Sequence, residues 1–412
     1  MLRCKSATGL ILVLAVVLLL TGTTFGATAS PVKHSYNGLA LTPPMGFNNW
    51  AHYECKLNEK LFTDTADALV STGLARLGYR YVNIDDCWMQ KQRNAAGNLV
   101  ADPKLFPHGM RWLGDYIHSQ GLKFGIYEDA GYMTCQKAPG MYGHIEPDVR
   151  TFASWGVDYL KLDYCYSPDG KYPGKNFSQV AHIVYGEVSA ALLKSGRDIV
   201  FSCSPPAYVF GNPREFAEVM SWIGSVCNLW RTDDDILNAW KSVVANYAGN
   251  VGLAKYAFPG GWNDADMLEV GNPGMTLTEQ QSQFSLWAMM ASPLLISTDV
   301  AKLSPAALKI LSNAEVIAVD QDPLGRQASI VKQLGKLDIL ARPLANGDHA
   351  LALFNQGERP EKISVNILAL SLRPGRYRLK NLWSKKISET RLMISADVPA
   401  HGVVLYRVSR AH

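Results

Sequence analysis

The chain has 412 residues, of which 48% are hydrophobic and 18% charged, and its formal net charge is +4 at pH 7. This composition is typical of a folded globular protein and excludes an intrinsically disordered chain. The length fits a barrel of about 250 residues followed by a smaller domain. The small net charge gives no electrostatic reason to expect a nucleic acid or an anionic membrane as a partner.

The first 29 residues predict a secretion signal that is removed from the mature protein. Arg3 and Lys5 form a basic start, residues 10–20 are an apolar run too short to span a membrane comfortably, and residues 27–29 have the small-x-small pattern of a cleavage site. A membrane anchor is the alternative. Cleavage removes two positive charges, so the net charge falls from +4 to +2. We expect a secreted or periplasmic protein that has no membrane partner.

Residues 30–325 alternate short apolar runs with helical patterns such as Glu59–Leu77, Met110–Gln120 and Asp148–Trp155. Eight strands joined by helical crossovers predict a (β/α)8 barrel. The predicted strands are Met45–Trp50, Tyr79–Asp85, Lys123–Glu128, Tyr159–Tyr164, Ile199–Ser204, Cys227–Thr232, Tyr256–Gly260 and Pro293–Thr298.

Several predicted strands end in polar residues. The C-terminal strand ends of such a barrel form its active site, so we expect these side chains to meet at one face. They are Asp85, Asp86, Tyr127, Asp163, Ser204 and Arg231.

Residues 326–412 tend to alternate apolar and polar residues between turn sequences, which predicts a small antiparallel β-sandwich. Its expected role is to cover and stabilise the barrel, and sugar binding is the alternative. The predicted strands are Ile330–Leu334, Leu337–Pro343, His349–Asn355, Lys362–Asn366, Gly375–Asn381, Ser388–Ile394 and Gly402–Arg407.

Seven cysteines are present, and Cys4 would leave with the signal. Six cysteines in an exported chain predict three disulfides, for which the sequence alone allows fifteen pairings. The chain has no Cys-x-x-Cys motif and no His cluster, so we expect no structural zinc site.

Four acidic clusters lie at or near predicted strand ends. Hydrolysis of a glycosidic bond with retention needs two carboxylates about 5 Å apart, one as nucleophile and one as acid/base, and it needs no metal. A Ca²⁺ site built from the third cluster is a competing interpretation. The clusters are Asp85 with Asp86, Asp163, residues 233–235, and Asp264 with Asp266.

Lys161 and Asp163 are two residues apart in a predicted strand, so their side chains point to the same side. A charged pair on the inner face of a barrel is costly unless the active site uses it. The ammonium group would lower the pKa of Asp163 and keep it ionised as a nucleophile. A structural salt bridge is the alternative.

Six motifs occur in order between residues 40 and 325: Thr-Pro-Pro-Met-Gly at 42–46, Asn-Ile-Asp-Asp-Cys-Trp at 83–88, Gly-Ile-Tyr at 125–127, Lys-Leu-Asp-Tyr-Cys at 161–165, Trp-Arg at 230–231 and Trp-Asn-Asp-Ala-Asp-Met at 262–267. Together they resemble glycoside hydrolase family 27, which holds α-galactosidases and α-N-acetylgalactosaminidases. The resemblance implies a retaining exo-glycosidase that removes terminal α-galactosyl-type sugars from an oligosaccharide or glycoconjugate and uses no cofactor. The resemblance does not decide whether the protein forms a homodimer.

The resemblance also implies residue roles. Asp163 matches the nucleophile, and Asp235, four residues after Arg231, matches the acid/base. If Asp235 is the acid, we expect the nearby nucleophile to raise its pKa. The implied disulfides are Cys55–Cys87, Cys135–Cys165 and Cys203–Cys227. The implied sugar contacts are Phe47, Asp85, Asp86, Tyr127, Lys161, Ser204, Ala207, Tyr208, Arg231, Asp266 and Met267.

Ser204 and Ala207 bear on the sugar that is accepted. At these positions the family's animal α-galactosidases hold Glu and Leu, and its α-N-acetylgalactosaminidases hold Ser and Ala. A 2-acetamido group needs space, a hydrogen-bond partner and an apolar wall, which Ala207, Ser204 and Tyr208 would supply. Alternative functions are hydrolysis of isomaltose units or β-L-arabinopyranosides, or a catalytically silent sugar-binding barrel.

Overall fold

A computed structural model of the chain describes residues 35–411. The predicted signal at residues 1–29 lies outside this range. No helix in the described part of the chain is long and apolar enough to span a bilayer.

Eight parallel strands form the barrel and confirm the predicted fold. Neighbouring strands pair in the order β7-β6-β5-β4-β3-β2-β1-β8, so β1 to β7 lie in sequence order and β8 pairs with β1. The strands are β1 (Met45–Asn48), β2 (Tyr81–Asn83), β3 (Lys123–Asp129), β4 (Tyr159–Asp163), β5 (Val200–Cys203), β6 (Leu229–Arg231), β7 (Trp262–Asp264) and β8 (Leu294–Ile296).

Helices connect the strands and pack on the outer face of the barrel. Asn176 and Thr276 each form a capping box with the residue three positions later, which defines where two of these helices begin. The helices are α1 (Trp50–Tyr53), α2 (Glu59–Ser71), α3 (Gly109–Ser119), α4 (Ile145–Ser154), α5 (Phe177–Lys194), α6 (Pro213–Trp222), α7 (Trp240–Val251), α8 (Leu277–Met290), α9 (Pro305–Leu311) and α10 (Ala314–Asp320).

The seventh strand differs from the prediction. Tyr256–Gly260 is not a strand, because Gly260 has a φ of +89° and the chain turns there. Phe258 and Gly261 exchange two backbone hydrogen bonds across this turn, at 2.8 and 2.9 Å. The strand begins only after it, where the Trp262 amide donates to the Asn228 carbonyl at 3.0 Å.

The barrel closes between β7 and β8 through a bridge at Leu268. The Leu268 amide donates to the Leu295 carbonyl at 2.7 Å, and its carbonyl accepts from the Ser297 amide at 3.0 Å. Between β7 and this bridge, Asp266 has a φ of +74°, so the chain leaves the strand conformation and returns to it. We call residues 265–267 the seam.

The C-terminal residues form two antiparallel sheets with buried apolar residues between them. One sheet has six strands in the order β14-β13-β16-β11-β10-β9, and β12 pairs with β15 in the other. The strands are β9 (Ser329–Leu334), β10 (Leu337–Pro343), β11 (His349–Asn355), β12 (Glu361–Asn366), β13 (Tyr377–Asn381), β14 (Ile387–Thr390), β15 (Met393–Val398) and β16 (Val403–Arg410).

The prediction of one strand at Ser388–Ile394 is wrong. The chain turns after Thr390, whose hydroxyl donates to the Met393 carbonyl at 2.6 Å. As a result β14 pairs with β13 in the large sheet, while β15 crosses to the small sheet. The predicted β-sandwich is confirmed. The division into residues 30–325 and 326–412 stays a prediction.

The sandwich is joined to the barrel by buried polar and aromatic contacts. The Tyr247 hydroxyl of α7 donates to Asp338 Oδ2 of β10 at 2.9 Å, and the Tyr247 ring meets the Phe354 ring edge-to-face at 5.2 Å. Gln333 and Gln356 also donate to the Asp338 carboxylate, at 2.8 and 2.7 Å. Sandwich and barrel therefore share a continuous interface.

The structure contains the disulfides Cys55–Cys87, Cys135–Cys165 and Cys203–Cys227, the three pairs that the family resemblance implies. Cys135–Cys165 links the loop after β3 to the loop after β4. This bridge therefore limits the movement of both loops at the C-terminal end of the barrel.

Tyr247→Phe tests the domain interface. It removes one hydrogen bond to a buried carboxylate that keeps two other donors, so we expect a loss of about 1–2 kcal/mol in the free energy of unfolding. Chemical denaturation should measure this loss, and kcat should be unchanged because Tyr247 lies outside the catalytic end. An unfolding free energy equal to that of the parent protein would contradict the assigned role of the bond.

Candidate active site

A cavity of about 210 Å³ opens where the C-terminal ends of strands β4, β5 and β6 meet. It contains both carboxylates that the sequence marks for catalysis. Its lining residues are Cys135, Asp163, Ser204, Ala207, Tyr208, Arg231, Asp233, Asp234 and Asp235.

Asp163 ends β4 and faces the cavity. The Ser204 hydroxyl, which follows β5, donates a hydrogen bond to Asp163 Oδ1. Burial raises the pKa of Asp163, whereas Lys161 and the Ser204 hydroxyl lower it, and the net pKa lies above the usual value. The two lowering contacts favour the ionised form that a nucleophilic carboxylate needs.

Lys161 forms its ion pair with Asp85 rather than with Asp163. Its Nζ lies 2.7 Å from Asp85 Oδ2, which also accepts from Asn48 Nδ2 at 2.8 Å. Lys161 also lies 5.3 Å from the centre of the Tyr127 ring. Asp85 and Asp163 raise the pKa of Lys161 against the effect of burial, so the ammonium stays charged. Lys161 therefore lowers the pKa of Asp163 through the charge of its ammonium group, and not through a direct ion pair.

Asp86 and Tyr127 lie buried beside this pair. The two Asp86 oxygens accept the amide N–H groups of Cys87, at 2.6 Å, and Gln136, at 2.9 Å. Burial raises the pKa of Asp86. The Tyr127 hydroxyl donates to Cys135 Sγ at 3.4 Å. Both side chains therefore attach the loop that carries Cys135 to the strand ends.

Arg231 ends β6 and joins two carboxylates. Its Nη1 lies 3.1 Å from Asp235 Oδ1, and its Nη2 lies 3.0 Å from Asp266 Oδ2 and 2.8 Å from the Asp234 carbonyl oxygen. Burial raises the pKa of Asp266 to about 6, although Arg231 opposes that rise. The Asp266 carboxylate also accepts the Ile236 amide at 2.7 Å, so it orients the segment that carries Asp235.

The three consecutive aspartates have different surroundings. Asp233 turns toward α7, where a Cβ added to Gly249 would lie 1.9 Å from its Oδ2. Asp234 is exposed, and its carbonyl rather than its carboxylate contacts Arg231. Asp235 is the one of the three whose carboxylate bonds the Arg231 side chain. This geometry supports the choice of Asp235, the residue four positions after Arg231, among the three aspartates. It also disfavours a Ca²⁺ site, because the Arg231 guanidinium already neutralises the Asp235 carboxylate.

The expected rise in the pKa of Asp235 is wrong for this structure. Burial raises its pKa, but Arg231 and Lys161 outweigh burial, and the net pKa lies below the usual value. A hydrogen bond from the Trp50 side chain lowers it further. Solvent screens these interactions in part, because 58% of the Asp235 side chain is exposed.

Phe47, one of the implied sugar contacts, is not among the lining residues of the cavity. Its side chain is fully buried and packs edge-to-face on Phe62 of α2 at 6.4 Å, which places it between the sheet and the helix layer. Trp50, three residues later, contacts the site instead, because its side chain forms a hydrogen bond with Asp235. The period of two in β1 explains the direction of Phe47, which points outward while Asn48 points inward. Trp50 lies beyond this strand, in α1.

Met267 and Tyr208, two further implied sugar contacts, have surroundings that differ from each other. Met267 is buried in the core. Tyr208 is 42% exposed, and its hydroxyl accepts the Tyr164 amide at 3.1 Å and contacts Cys165 Sγ at 3.2 Å. Tyr208 therefore belongs to the cavity wall and to the support of the segment after β4.

Sequence reasoning did not single out Asn48, Trp50 or Asp129 as site residues. Asn48 bonds Asp85, Trp50 bonds Asp235, and Asp129 accepts the Cys165 amide at 2.8 Å. The sequence contains only weak signals that these residues belong to the site. Asn48 has the inward position of β1, and Asp129 ends β3 just as Asp163 ends β4.

Among the described residues, Asp129, Cys135 and Cys165 bring potential metal-ligand atoms within 4.8 Å of one another. The two sulfur atoms form a disulfide, so they are not available as thiolate ligands.

A (β/α)8 barrel with two carboxylates facing one cavity at its C-terminal end has the architecture of a glycoside hydrolase. The family model described as "Alpha galactosidase A" matches residues 42–322, and "Alpha galactosidase C-terminal beta sandwich domain" matches residues 334–408. The chain therefore belongs to the α-galactosidase family, glycoside hydrolase family 27, and is an enzyme of this class.

Individual relatives agree with this assignment. The chain is 44% identical to alpha-galactosidase 2 of Arabidopsis thaliana, over 91% of each chain. It is 42% identical to an alpha-galactosidase of Cyamopsis tetragonoloba, over 90% of this chain and 87% of the relative. The crystal structure of alpha-galactosidase I from Mortierella vinacea matches with a TM-score of 0.83 and 32% identity, covering 91% of this chain and 98% of that one.

Ser204→Ala tests the hydrogen bond to Asp163. Loss of the hydroxyl donor removes a contact that stabilises the carboxylate, so we expect the pKa of Asp163 to rise by up to about one unit. Carboxyl ¹³C NMR titration of aspartate-labelled protein measures this, with Asp163→Asn to assign the signal. Ser202→Ala, a buried serine of β5 two residues before Ser204, is the matched control. A pKa of Asp163 that is unchanged or lower in Ser204→Ala would contradict this reading.

Proposed function

We propose that the protein is a retaining exo-α-galactosidase in which Asp163 is the nucleophile and Asp235 the acid/base. The observation that carries this proposal is the shared cavity, which both carboxylates line from the ends of β4 and the segment after β6. The family and its relatives support the galactosyl substrate.

In the first step an Asp163 carboxylate oxygen attacks the anomeric carbon, and the bond to the leaving oxygen breaks. Asp235 gives its proton to that oxygen, and a galactosyl ester of Asp163 results. In the second step Asp235 takes a proton from water, whose oxygen attacks the anomeric carbon and releases galactose with retained configuration. Asp163 is then a free carboxylate again, and Asp235 is protonated.

The charges around the two carboxyl groups favour the role of Asp163 more than the role of Asp235. Lys161 and Ser204 favour ionised Asp163, as attack requires, while Arg231 disfavours protonated Asp235. Two interacting carboxyl groups titrate as a pair with two macroscopic pKa values. The reactive form, with one proton on Asp235, is populated between these values, which gives a bell-shaped dependence of kcat/KM on pH.

For the sugar, we assign the buried polar groups next to the cavity to hydroxyl recognition. Asp85, Asp86, Tyr127, Lys161 and Asp266 are buried, and the family resemblance assigns them to sugar contacts, but they are not among the lining residues of the cavity. Of the remaining assigned residues, Arg231, Ser204, Ala207 and Tyr208 line the cavity itself.

A second candidate activity is hydrolysis of α-N-acetylgalactosaminides. Ser204 and Ala207 both line the cavity, and they are the two small side chains that the family resemblance assigns to the surroundings of the sugar's 2-position. The Ser204 hydroxyl already donates to Asp163, however, so it would offer the acetamide only its acceptor lone pairs. Plain galactose also fits, because unfilled volume rejects a smaller ligand only weakly.

We also propose that the enzyme acts outside the cytoplasm. Three disulfides are typical of oxidising compartments, and they agree with the signal predicted at residues 1–29. An oligosaccharide or glycoconjugate is the proposed substrate partner.

Azide rescue tests the two catalytic roles separately. In Asp163→Gly azide can attack the activated α-galactoside directly, so the product should be β-galactosyl azide. In Asp235→Gly azide attacks the galactosyl ester and should give α-galactosyl azide. NMR of the products distinguishes these outcomes. Asp233→Gly and Asp234→Gly are matched controls that should yield galactose. Formation of α-galactosyl azide by either control instead of Asp235→Gly would move the acid/base role.

A panel of p-nitrophenyl glycosides tests the sugar. We expect kcat/KM to be highest for the α-D-galactoside or its 2-acetamido analogue, and at least about tenfold lower for the β-L-arabinopyranoside and the α-glucoside, because the buried hydroxyl partners would lack the groups they bind. Replacing Ser204 by Glu and Ala207 by Leu should reduce the activity on the 2-acetamido sugar more than that on the galactoside, because loss of the Ser204 hydroxyl affects Asp163 with both substrates. A higher kcat/KM for the arabinopyranoside or glucoside would reject the proposal.

A further inference from the structure

Tyr185 lies in α5, is fully buried and is outside the cavity. Its hydroxyl lies 2.8 Å from the carbonyl oxygen of Leu162 and 3.0 Å from that of Asp163, so its one proton is shared between the last two carbonyls of β4. Its ring stacks on Phe201 at 5.9 Å, which fixes the direction of the phenol. A phenylalanine would fill the same space and lose only the hydrogen bonds from the hydroxyl to the strand end.

Asp129 holds the same strand end from the other side. It lies opposite Asp163 in the pairing of β3 with β4. Its Oδ2 accepts the Cys165 amide at 2.8 Å, and its Oδ1 accepts the Gly131 amide at 2.7 Å. The carboxylate therefore connects the first residues of the loops after β3 and β4. Both of its oxygens are needed for this, and an asparagine would keep only one acceptor.

The backbone around Asp163 is consequently held by side chains on both sides. Its own carbonyl also accepts the Ala130 amide at 2.9 Å. The β4–β5 ladder ends at Leu162 opposite Cys203, so the continuing sheet does not hold Asp163 on that side. Tyr185 adds a hydrogen bond from α5 to the Asp163 carbonyl.

We propose that Tyr185 and Asp129 are positioning residues for the attack by Asp163, because they fix the backbone from which its side chain reaches the anomeric carbon. Neither residue lines the cavity, so they act through Asp163 rather than on the sugar. The inference rests on the proposed function. A displacement of a reacting group by 1 Å can reduce a rate by about a hundredfold, so small backbone shifts here have large effects.

Tyr185→Phe is the direct test, with Tyr247→Phe as the matched control. Each variant loses the hydroxyl of a buried helix tyrosine, but Tyr247 bonds Asp338 in the sandwich. With p-nitrophenyl α-galactoside we expect Tyr185→Phe to lower kcat roughly ten- to a hundredfold while KM stays within about twofold. Tyr247→Phe should keep the parent kcat. Denaturation curves should show comparable stability losses in the two variants.

Three outcomes would overturn the proposal: a kcat of Tyr185→Phe within about twofold of the parent, a change in KM alone, or an equal loss of kcat in Tyr247→Phe. If Tyr185→Phe does not fold, Asp129→Asn takes its place with the same readouts, and a parent-like kcat there would overturn it as well. If the parent protein itself fails to hydrolyse the galactoside, the proposed function fails, which is distinct from a failure of this inference.

Discussion

Two buried cations, Lys161 and Arg231, control the charge balance on which the catalytic end of the barrel depends. Parallel strand ends bring many carboxyl groups together there, and burial disfavours the ionised form of each. Lys161 pairs with Asp85 and lowers the pKa of Asp163, while Arg231 pairs with Asp235 and Asp266. Because each cation connects different strands, the same contacts that allow buried charge also set the spacing between strand ends.

Much of this arrangement could be predicted from local patterns. Short apolar runs between helical segments are sufficient to indicate the barrel, and in that fold a polar residue that ends a strand lies at the catalytic end. The period of two puts Lys161 and Asp163 on one side of β4. It does not reveal that Lys161 pairs with Asp85, which follows a strand two places away, because that contact depends on the curvature of the closed sheet.

The sequence predictions that differ from the structure also have physical causes. An apolar run resembles a strand whether or not a glycine turns the chain, so the sequence of Tyr256–Gly260 does not reveal the turn that the positive φ of Gly260 produces. Phe47 and Trp50 both follow the Met-Gly motif, and only the outward direction of Phe47 in β1 separates them. The pKa of Asp235 depends on its distance from Arg231 and on its exposure, which spacing along the chain does not define.

The seam at residues 265–267 has a consequence for how such an enzyme can diversify. The barrel closes through Leu268, so these three residues are released from the hydrogen-bonded ladder while Asp266 stays bonded to Arg231. A residue in a ladder is bound to a fixed inward or outward direction, whereas a residue in the seam is not. Evolution can therefore alter the side chains of this stretch, including the Asp266 carboxylate that binds Arg231, without changing the strand register of the barrel.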